Sequence, residues 1–335
     1  MDYRGNIRHR IDRSGGASVR NWETPSGEVA ELMESEVALE MGWGRLVFGH
    51  TFQSNEQLVE TLLAERDGER DISLYIRDPH VLLSLAPSEL FLDPSHTYRL
   101  WSYGYQPASE INKRVTIRRL ETDADAAEAN RIWATRNMVE SDAEFMLDVH
   151  ASKLRTYLVA ETPEANGLIG VVVGVDHVEA FNDPENGSSL WCLAVDPKTS
   201  VPGVGEALVR HLVEHYFARG RDYVDLSVMH DNAFAIKLYE KLGYQRVPVF
   251  CVKRKNPINE NLFMAPHPDA NLNPYARIIT DEARRRGIAV DVLDEEFGYF
   301  QLTLGGRSIV CRESLTELTS AVAFCRCDDK RLTHR

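Results

Sequence analysis

Several features that define common protein classes are missing from this sequence of 335 residues. No stretch approaches the roughly 18 consecutive apolar residues of a membrane helix, and the N-terminus, MDYRGNIRHRIDRSGG, has charge but no apolar segment of the signal-peptide kind. The 38 basic residues are outnumbered by 51 acidic ones, giving a formal net charge of -13. The basic excess typical of nucleic-acid binding is therefore absent. We expect neither a membrane nor a nucleic acid as a partner.

Cysteine is also scarce, and its positions do not form a metal-binding pattern. The five cysteines are Cys192, Cys251, Cys311, Cys325 and Cys327. Only the last two are close together, and one C-x-C without a second pair is a weak zinc signal. We expect no metal site, thiols that are structural or lie on the surface, and a reduced, cytoplasmic protein.

What is present is a succession of short apolar runs separated by turn residues, which predicts an α/β (α+β) protein with several parts. Residues 1–25 are polar and rich in Arg, Gly and Ser, which predicts a mobile tail. Residues 26–112 predict an N-terminal α/β unit, and residues 113–255 a second unit. In that second unit a strand, two helices and then antiparallel strands favour a mixed, mostly antiparallel sheet flanked by helices. Residues 256–335 predict a third α/β segment, short for an independent core.

The stretch SVPGVGEALV, residues 200–209, follows an apolar run and opens a predicted helix at about Gly203. The first turn of a helix has unpaired N–H groups and the positive end of the helix dipole, so it favours an anion. The stretch lacks the third glycine of the dinucleotide fingerprint and the Gly-Lys-Ser/Thr of a P-loop. Taken alone, it leaves open a phosphate-binding loop or a simple turn between strand and helix.

A second motif lies about thirty residues downstream, in DNAFAIKLYEKLGY. Its characteristic positions are Asn232, Ala235, Leu238, Tyr239, Lys241, Gly243 and Tyr244. Together with LAVDPKTSVPGVGEALV, it resembles the GNAT family of acyl-CoA N-acyltransferases, over about Val115 to Arg254. The resemblance implies a GNAT-type fold, acetyl-CoA as co-substrate and an amine as acceptor.

The resemblance also implies roles for individual residues. Tyr239 would be the general acid that protonates the leaving thiolate, although a helix tyrosine with its hydroxyl at the surface is the alternative. Asn232 would contact the pantetheine region. The coenzyme-binding set would further comprise the backbone of Leu193, Ala194 and Val195 along the pantetheine arm, and Ser200, Val201, Gly203, Val204, Gly205 and Glu206 around the pyrophosphate.

Two departures from the family pattern bear on activity. Ser200 stands where Arg or Gln is usual, and Pro202 donates no N–H, so coenzyme affinity is lower or a basic residue elsewhere compensates. No carboxylate lies near Ser189, where many members carry the general base. Asp176, His177 and Glu179, on the preceding predicted strand, are the alternatives, each also explained as a solvated side chain. Of these we select Glu179 as the general base.

The C-terminal segment resembles the start of an ATP-grasp ligase of the cyanophycin synthetase and glutathione-ligase type, a pre-ATP-grasp domain. The chain as a whole resembles bacterial N-acetylglutaminylglutamine synthetases. This implies acetyl transfer to the α-amine of glutamine or a glutaminyl dipeptide in osmolyte biosynthesis. Because the chain ends at Arg335, before any ATP-binding subdomain, we expect no ligase activity from it. The alternatives are a catalytically silent acyl-CoA-binding or scaffold module, and an enzyme that acetylates another amine or a protein lysine. The sequence leaves a homo-oligomer open.

Overall fold

The computed structural model describes residues 18–19, 31, 33–136, 138–148, 152–163, 167–264, 272–286, 288–304 and 307–328. The chain divides into two compact units, Met1–Phe263 and Met264–Arg335. The strands of the first unit are β1 Ala38–Glu40, β2 Arg45–Phe48, β3 Ile72–Leu74, β4 Leu90–Leu92, β5 Ser95–Trp101, β6 Thr116–Arg119, β7 Arg155–Glu161, β8 Leu168–Asp176, β9 Gly187–Val195, β10 Tyr223–Met229, β11 Gln245–Val247 and β12 Val252–Arg254. Its α-helices are α1 Asn55–Leu63, α2 Pro79–Leu85, α3 Asp123–Ala134, α4 Ala143–Asp148, α5 His177–Phe181, α6 Val204–Ala218, α7 Ala233–Lys241 and α8 Glu260–Phe263.

These strands form two sheets. The N-terminal sheet has the order β1-β2-β3-β12-β4, and the central sheet has the order β11-β5-β10-β9-β8-β7-β6. All pairings in the central sheet are antiparallel except that between β9 and β10. The predicted mixed, mostly antiparallel sheet flanked by helices is therefore confirmed.

Local sequence explains where the helices of the central sheet begin. The Thr122 hydroxyl and the Asp125 carboxylate form a reciprocal capping box at the start of α3. The Asn232 carboxamide oxygen accepts from the backbone N–H of Ala235 and so caps α7. Helix α6 buries an apolar face that includes Leu208 and Leu212, both fully buried against the sheet.

The structure differs from the expected division at residues 112 and 255, because each sheet takes a strand from the other segment. Strand β5, expected to close the N-terminal unit, lies in the central sheet between β10 and β11. Strand β12, expected to close the second unit, pairs with β3 and β4 in the N-terminal sheet. The apolar pattern of a segment predicts that it is a strand, but the partner is decided by tertiary packing.

The structure also differs from the expected mobile tail at Ser18 and Val19, the only described residues of 1–25. Both are buried. The Ser18 backbone N–H and hydroxyl donate to the Glu185 carboxylate, and its hydroxyl accepts from Arg99 at 2.9 Å. The rest of that predicted tail lies outside the described residues.

The second unit contains helix α9 Pro274–Arg285, strands β13 Ala289–Asp294, β14 Tyr299–Leu304, β15 Arg307–Arg312 and β16 Leu315–Thr316, and helix α10 Ala321–Asp328. The four strands form one antiparallel sheet in chain order. Its core is small and centres on Phe300 and Ala276, both fully buried. The α/β character predicted for this segment is confirmed, while its likeness to a pre-ATP-grasp domain stays a prediction.

No helix within the described ranges is both long enough and apolar enough to cross a membrane.

Candidate active site

The central sheet opens between its two parallel strands. Strands β9 and β10 pair from Gly187 opposite Tyr223 to Leu190 opposite Leu226. Both then continue without pairing with each other, to Val195 and Met229. On its other side β9 carries a bulge, because its register against β8 shifts between Val171 and Val173. Cys192 adopts a left-handed backbone with φ 49° at this bulge. The bend separates β9 from β10 and leaves a slot between them.

The ladder decides which backbone groups face this slot. The Asp196 N–H donates to the Ile169 carbonyl, so two residues earlier Ala194 also bonds toward β8, where it lies opposite Val171. Val195 points the other way, into the slot. Of the expected pantetheine-binding residues, Val195 thus presents its backbone to the slot, and Leu193 lines the adjoining cavity. The Ala194 backbone does not face the slot, because it hydrogen-bonds toward β8.

A basic side chain lies at this edge of the slot. Arg136 donates from Nη2 and Nε to the Val195 carbonyl, at 2.8 and 3.1 Å. Arg136 also lines the cavity, and its guanidinium provides positive charge beside the slot, whereas Ser200 stands where a basic residue of the loop was expected.

The slot leads into a cavity of about 460 Å³. Tyr239, from α7, lines it with a side chain that is 5% exposed. Its hydroxyl makes no hydrogen bond to any described residue, and burial raises its pKa well above the ordinary 10. A phenol in this environment keeps its proton at neutral pH, as a general acid must. Asn232, the cap of α7, also lines the cavity.

The glycine loop has the geometry expected of an anion site. Gly203 is the N-cap of α6 and has φ 77°, a left-handed conformation that favours glycine. Gly205 follows in the first turn, where an added Cβ would meet no protein atom closer than 3.6 Å. Val201 and Val204 bury their side chains, so they offer only backbone. The free N–H groups of this turn are suited to a phosphate.

Charged residues around the loop are already balanced. The Glu206 carboxylate pairs with Lys241 at 2.7 Å and with Arg210 at 3.0 Å. The hydrogen bond from Lys241 is the main cause of the lowered pKa of the Glu206 carboxylate. Asn112 holds the loop from outside by donating to the Pro202 carbonyl at 2.9 Å. Ser200 is exposed. Any anion bound at this loop would therefore be held by backbone amides rather than by a loop cation.

The structure does not bring Glu179, the expected general base, to this site. Glu179 lies in α5, beyond the end of β8, and its carboxylate pairs with Arg219 at 3.3 Å. Arg219 caps the C-terminus of α6, whereas the glycine loop forms its N-terminus. At about 1.5 Å per residue, the 15 residues of α6 separate the two. Asp176 is likewise removed, since it pairs with Arg219 and Arg221.

The third alternative, His177, belongs to a buried network. Its Nε2 lies 2.9 Å from the Ser189 hydroxyl, and its Nδ1 lies 3.7 Å from Asp183 Oδ2. The order Ser-His-Asp is that of a hydrolase triad, but all three residues are buried and none lines the cavity. The Ser189 hydroxyl also accepts from Trp191 Nε1 at 2.7 Å. Since Trp191 lines the cavity, the network supports the cavity wall.

Sequence reasoning missed the residues that the N-terminal sheet contributes to the cavity. They are Trp43, Arg70, Ile72, Asp93 and Lys253. Lys253 and Asp93 form an ion pair of 2.8 Å with side chains 8% and 2% exposed. These positions are far apart in the chain and belong to no motif, so only the fold could bring them together.

Comparison with known proteins agrees with this geometry. Residues 118–244 match the Acetyltransferase (GNAT) family. The chain contains a GNAT acetyltransferase domain. The ribosomal protein bS18-alanine N-acetyltransferase of Escherichia coli is 39% identical over 62 residues, or 18% of this chain and 42% of that protein. The mycothiol acetyltransferase of Streptosporangium roseum is 36% identical over 90 residues, or 27% of each chain. The chain thus spans less than half the length of these relatives.

Among solved structures, a putative GNAT-family acetyltransferase from Novosphingobium aromaticivorans resembles the chain with a TM-score of 0.45 and 16% identity. The similarity covers 71% of this chain and 95% of that one.

Proposed function

We propose that the protein transfers the acetyl group of acetyl-CoA to a primary amine. The observation that carries this proposal is the slot between β9 and β10, which leads into a cavity lined by a buried tyrosine, Tyr239. A thioester placed along β9 would bring its carbonyl into the cavity. Its pyrophosphate would lie against the first turn of α6, where Gly205 leaves space.

In the proposed reaction the amine nitrogen attacks the thioester carbon, the C–N bond forms and the C–S bond breaks. Tyr239 gives its proton to the departing sulfur. An ammonium substrate loses two protons as the amide forms: one restores the Tyr239 phenol, and the other is released. The protonated phenol matters because a thiol leaves more easily than a thiolate.

The acceptor we propose is the α-amine of glutamine or a glutaminyl dipeptide, in an osmolyte pathway. This rests on the likeness of the whole chain to N-acetylglutaminylglutamine synthetases. The names of the two relatives indicate acetylation in different contexts, an alanine of ribosomal protein bS18 in one and mycothiol in the other. Neither name fixes the acceptor here.

One observation favours a second candidate, a catalytically silent acyl-CoA-binding module. Ser200 is exposed and supplies no charge to the loop, and Pro202 supplies no N–H. Weak coenzyme binding without turnover would follow from such a loop.

Calorimetry with acetyl-CoA, followed by a thiol-release assay over amino acids, dipeptides and lysine peptides, separates these candidates. For the enzyme we expect Tyr239→Phe to lower kcat about 100- to 10,000-fold, the range of general acid catalysis, with coenzyme affinity unchanged. Tyr103→Phe is the matched control, because Tyr103 is 56% exposed and lies outside the cavity lining. Binding without turnover on any amine would support the silent module, and no binding at millimolar coenzyme would refute both.

A further inference from the structure

Two oppositely charged residues that line the active-site cavity each have one buried polar atom with no hydrogen-bond partner among the described residues. Asp93 Oδ1 and Arg70 Nε are both inaccessible to solvent and make no hydrogen bond. Both residues line the cavity that Tyr239 also lines. Buried polar atoms are nearly always satisfied, and leaving one of a charged group unpaired is costly. A ligand in the cavity, toward which the two side chains turned these atoms, would remove this cost.

Each of the two side chains is held in place by its other atoms. Asp93 Oδ2 pairs with Lys253 Nζ at 2.8 Å, and the Asp93 N–H donates to the Cys251 carbonyl. Arg70 Nη2 donates to the Ile258 carbonyl at 3.0 Å. Burial lowers the pKa of Arg70, and Asp93 is the first of the charges that oppose this shift. The two groups therefore interact while each keeps one atom free.

The charge of the cavity selects among amines. Its charged lining residues are Arg70, Arg136, Lys253 and Asp93, so positive charge is in excess although the chain as a whole carries -13. A simple alkylamine would add a further cation to this cavity. An amine that also carries a carboxylate would add no net charge, and its carboxylate would find a cation there.

We propose that Asp93 and Arg70 form the acceptor site, with Asp93 binding the ammonium group and Arg70 the carboxylate of an α-amino acid or a small peptide with both charges close together. The assignment rests on the proposed function for its acetyl donor. The residues that select the acceptor thus belong to the N-terminal sheet, outside residues 118–244 that match the GNAT family. Lys253 acts as a positioning residue, because its contact is to the other oxygen of Asp93.

The test is equilibrium binding of L-amino acids, glutamine included, each compared with its decarboxylated amine and its N-acetyl derivative. The wild-type protein should bind the amino acid more tightly than either analogue. Arg70→Gln should weaken amino acid binding about 10- to 100-fold, the range for hydrogen bonds to charged groups, and leave the decarboxylated amine unaffected. Asp93→Asn should remove the preference over the N-acetyl derivative. Arg66→Gln is the control, since its side chain is 61% exposed and pairs with Glu40 and Glu69.

Asp93→Asn leaves Lys253 buried without a counter-charge, so the Asp93→Asn/Lys253→Met double variant is measured beside it, and thermal unfolding reports the fold of each. The proposal is overturned if wild type binds amino acid and decarboxylated amine equally, if no amino acid binds, or if Arg70→Gln keeps the full preference. Coenzyme binding is measured separately on the same variants. A protein that binds amino acids as expected but no acetyl-CoA would refute the proposed function and leave this acceptor site standing.

Discussion

A buried ion pair joins the two parts of the chain that sequence analysis separated. Arg99 of β5 donates to Asp225 of β10 through Nε at 2.7 Å and Nη2 at 2.8 Å, and both side chains are 2% exposed. Tyr75, which follows β3 of the N-terminal sheet, donates its hydroxyl to Asp225 at 2.6 Å. The Arg99 guanidinium also stacks 3.5 Å above the Tyr223 ring.

Replacing Arg99 with methionine should be strongly destabilising. The apolar stem is kept, but Asp225 is left buried with Tyr75 as its remaining side-chain donor. Breaking a buried pair in this way costs about 3–5 kcal/mol, a large share of the roughly 5–15 kcal/mol by which domains are stable. Adding Asp225→Asn removes the stranded charge and keeps an acceptor for Tyr75. We therefore expect the double variant to regain about 2 kcal/mol relative to Arg99→Met.

Tryptophan fluorescence in a guanidinium titration measures this effect in the first unit alone, because all five tryptophans precede residue 264. Arg66→Met is the control, as a solvent-exposed pair is worth about 0–1 kcal/mol. The reasoning fails if Arg99→Met costs no more than Arg66→Met, or if the double variant is less stable than the single one.

Three further predictions concern the sheet, the loop and a buried histidine. A protein truncated to residues 113–255 lacks β5, the strand between β10 and β11. We expect it to show no cooperative unfolding by circular dichroism, whereas residues 1–263 should unfold cooperatively. Cooperative unfolding of the shorter protein would contradict the exchange of strands between the two sheets. Gly205→Ala should leave the free energy of unfolding unchanged or raise it by up to about 1 kcal/mol, yet weaken coenzyme binding in calorimetry. Gly203→Ala should lower the free energy of unfolding by about 1–2 kcal/mol, because Gly203 has a left-handed φ. Equal coenzyme affinity in Gly205→Ala and wild type would exclude the loop as the pyrophosphate site. Burial lowers the pKa of His50 from 6.5 to about 4, so the His50 imidazole binds a proton more readily in the unfolded chain. The free energy of unfolding should therefore fall by about 2 kcal/mol between pH 7.5 and 5. A His50→Phe variant with the same pH dependence in denaturant titrations would show that other groups cause the loss.

The half of the site proposed to bind coenzyme was predictable from sequence because its residues are close together in the chain. Gly203 and Gly205 begin one helix, and Asn232 and Tyr239 lie on another, so spacing alone carries the pattern. The general base was not predictable in this way. Glu179 was placed on a strand, but the Asp176 carboxylate accepts from the N–H groups of Val178 and Glu179 and starts a helix there. Because Asp176 caps a helix here, Glu179 lies on that helix and not on a strand beside the slot.

The acceptor half could not be predicted at all, because it depends on which strands pair. Arg70 and Asp93 become neighbours of Tyr239 only because β5 enters the central sheet and β12 returns to the N-terminal one. The GNAT match ends at residue 244, before Lys253, and begins after Asp93. A match confined to residues 118–244 can therefore support the donor and the chemistry of transfer, but it contains none of the three charged residues that the N-terminal sheet brings to the cavity. For this reason the acceptors named for the relatives do not carry over to this chain, and the choice of amine has to be tested on the N-terminal sheet itself.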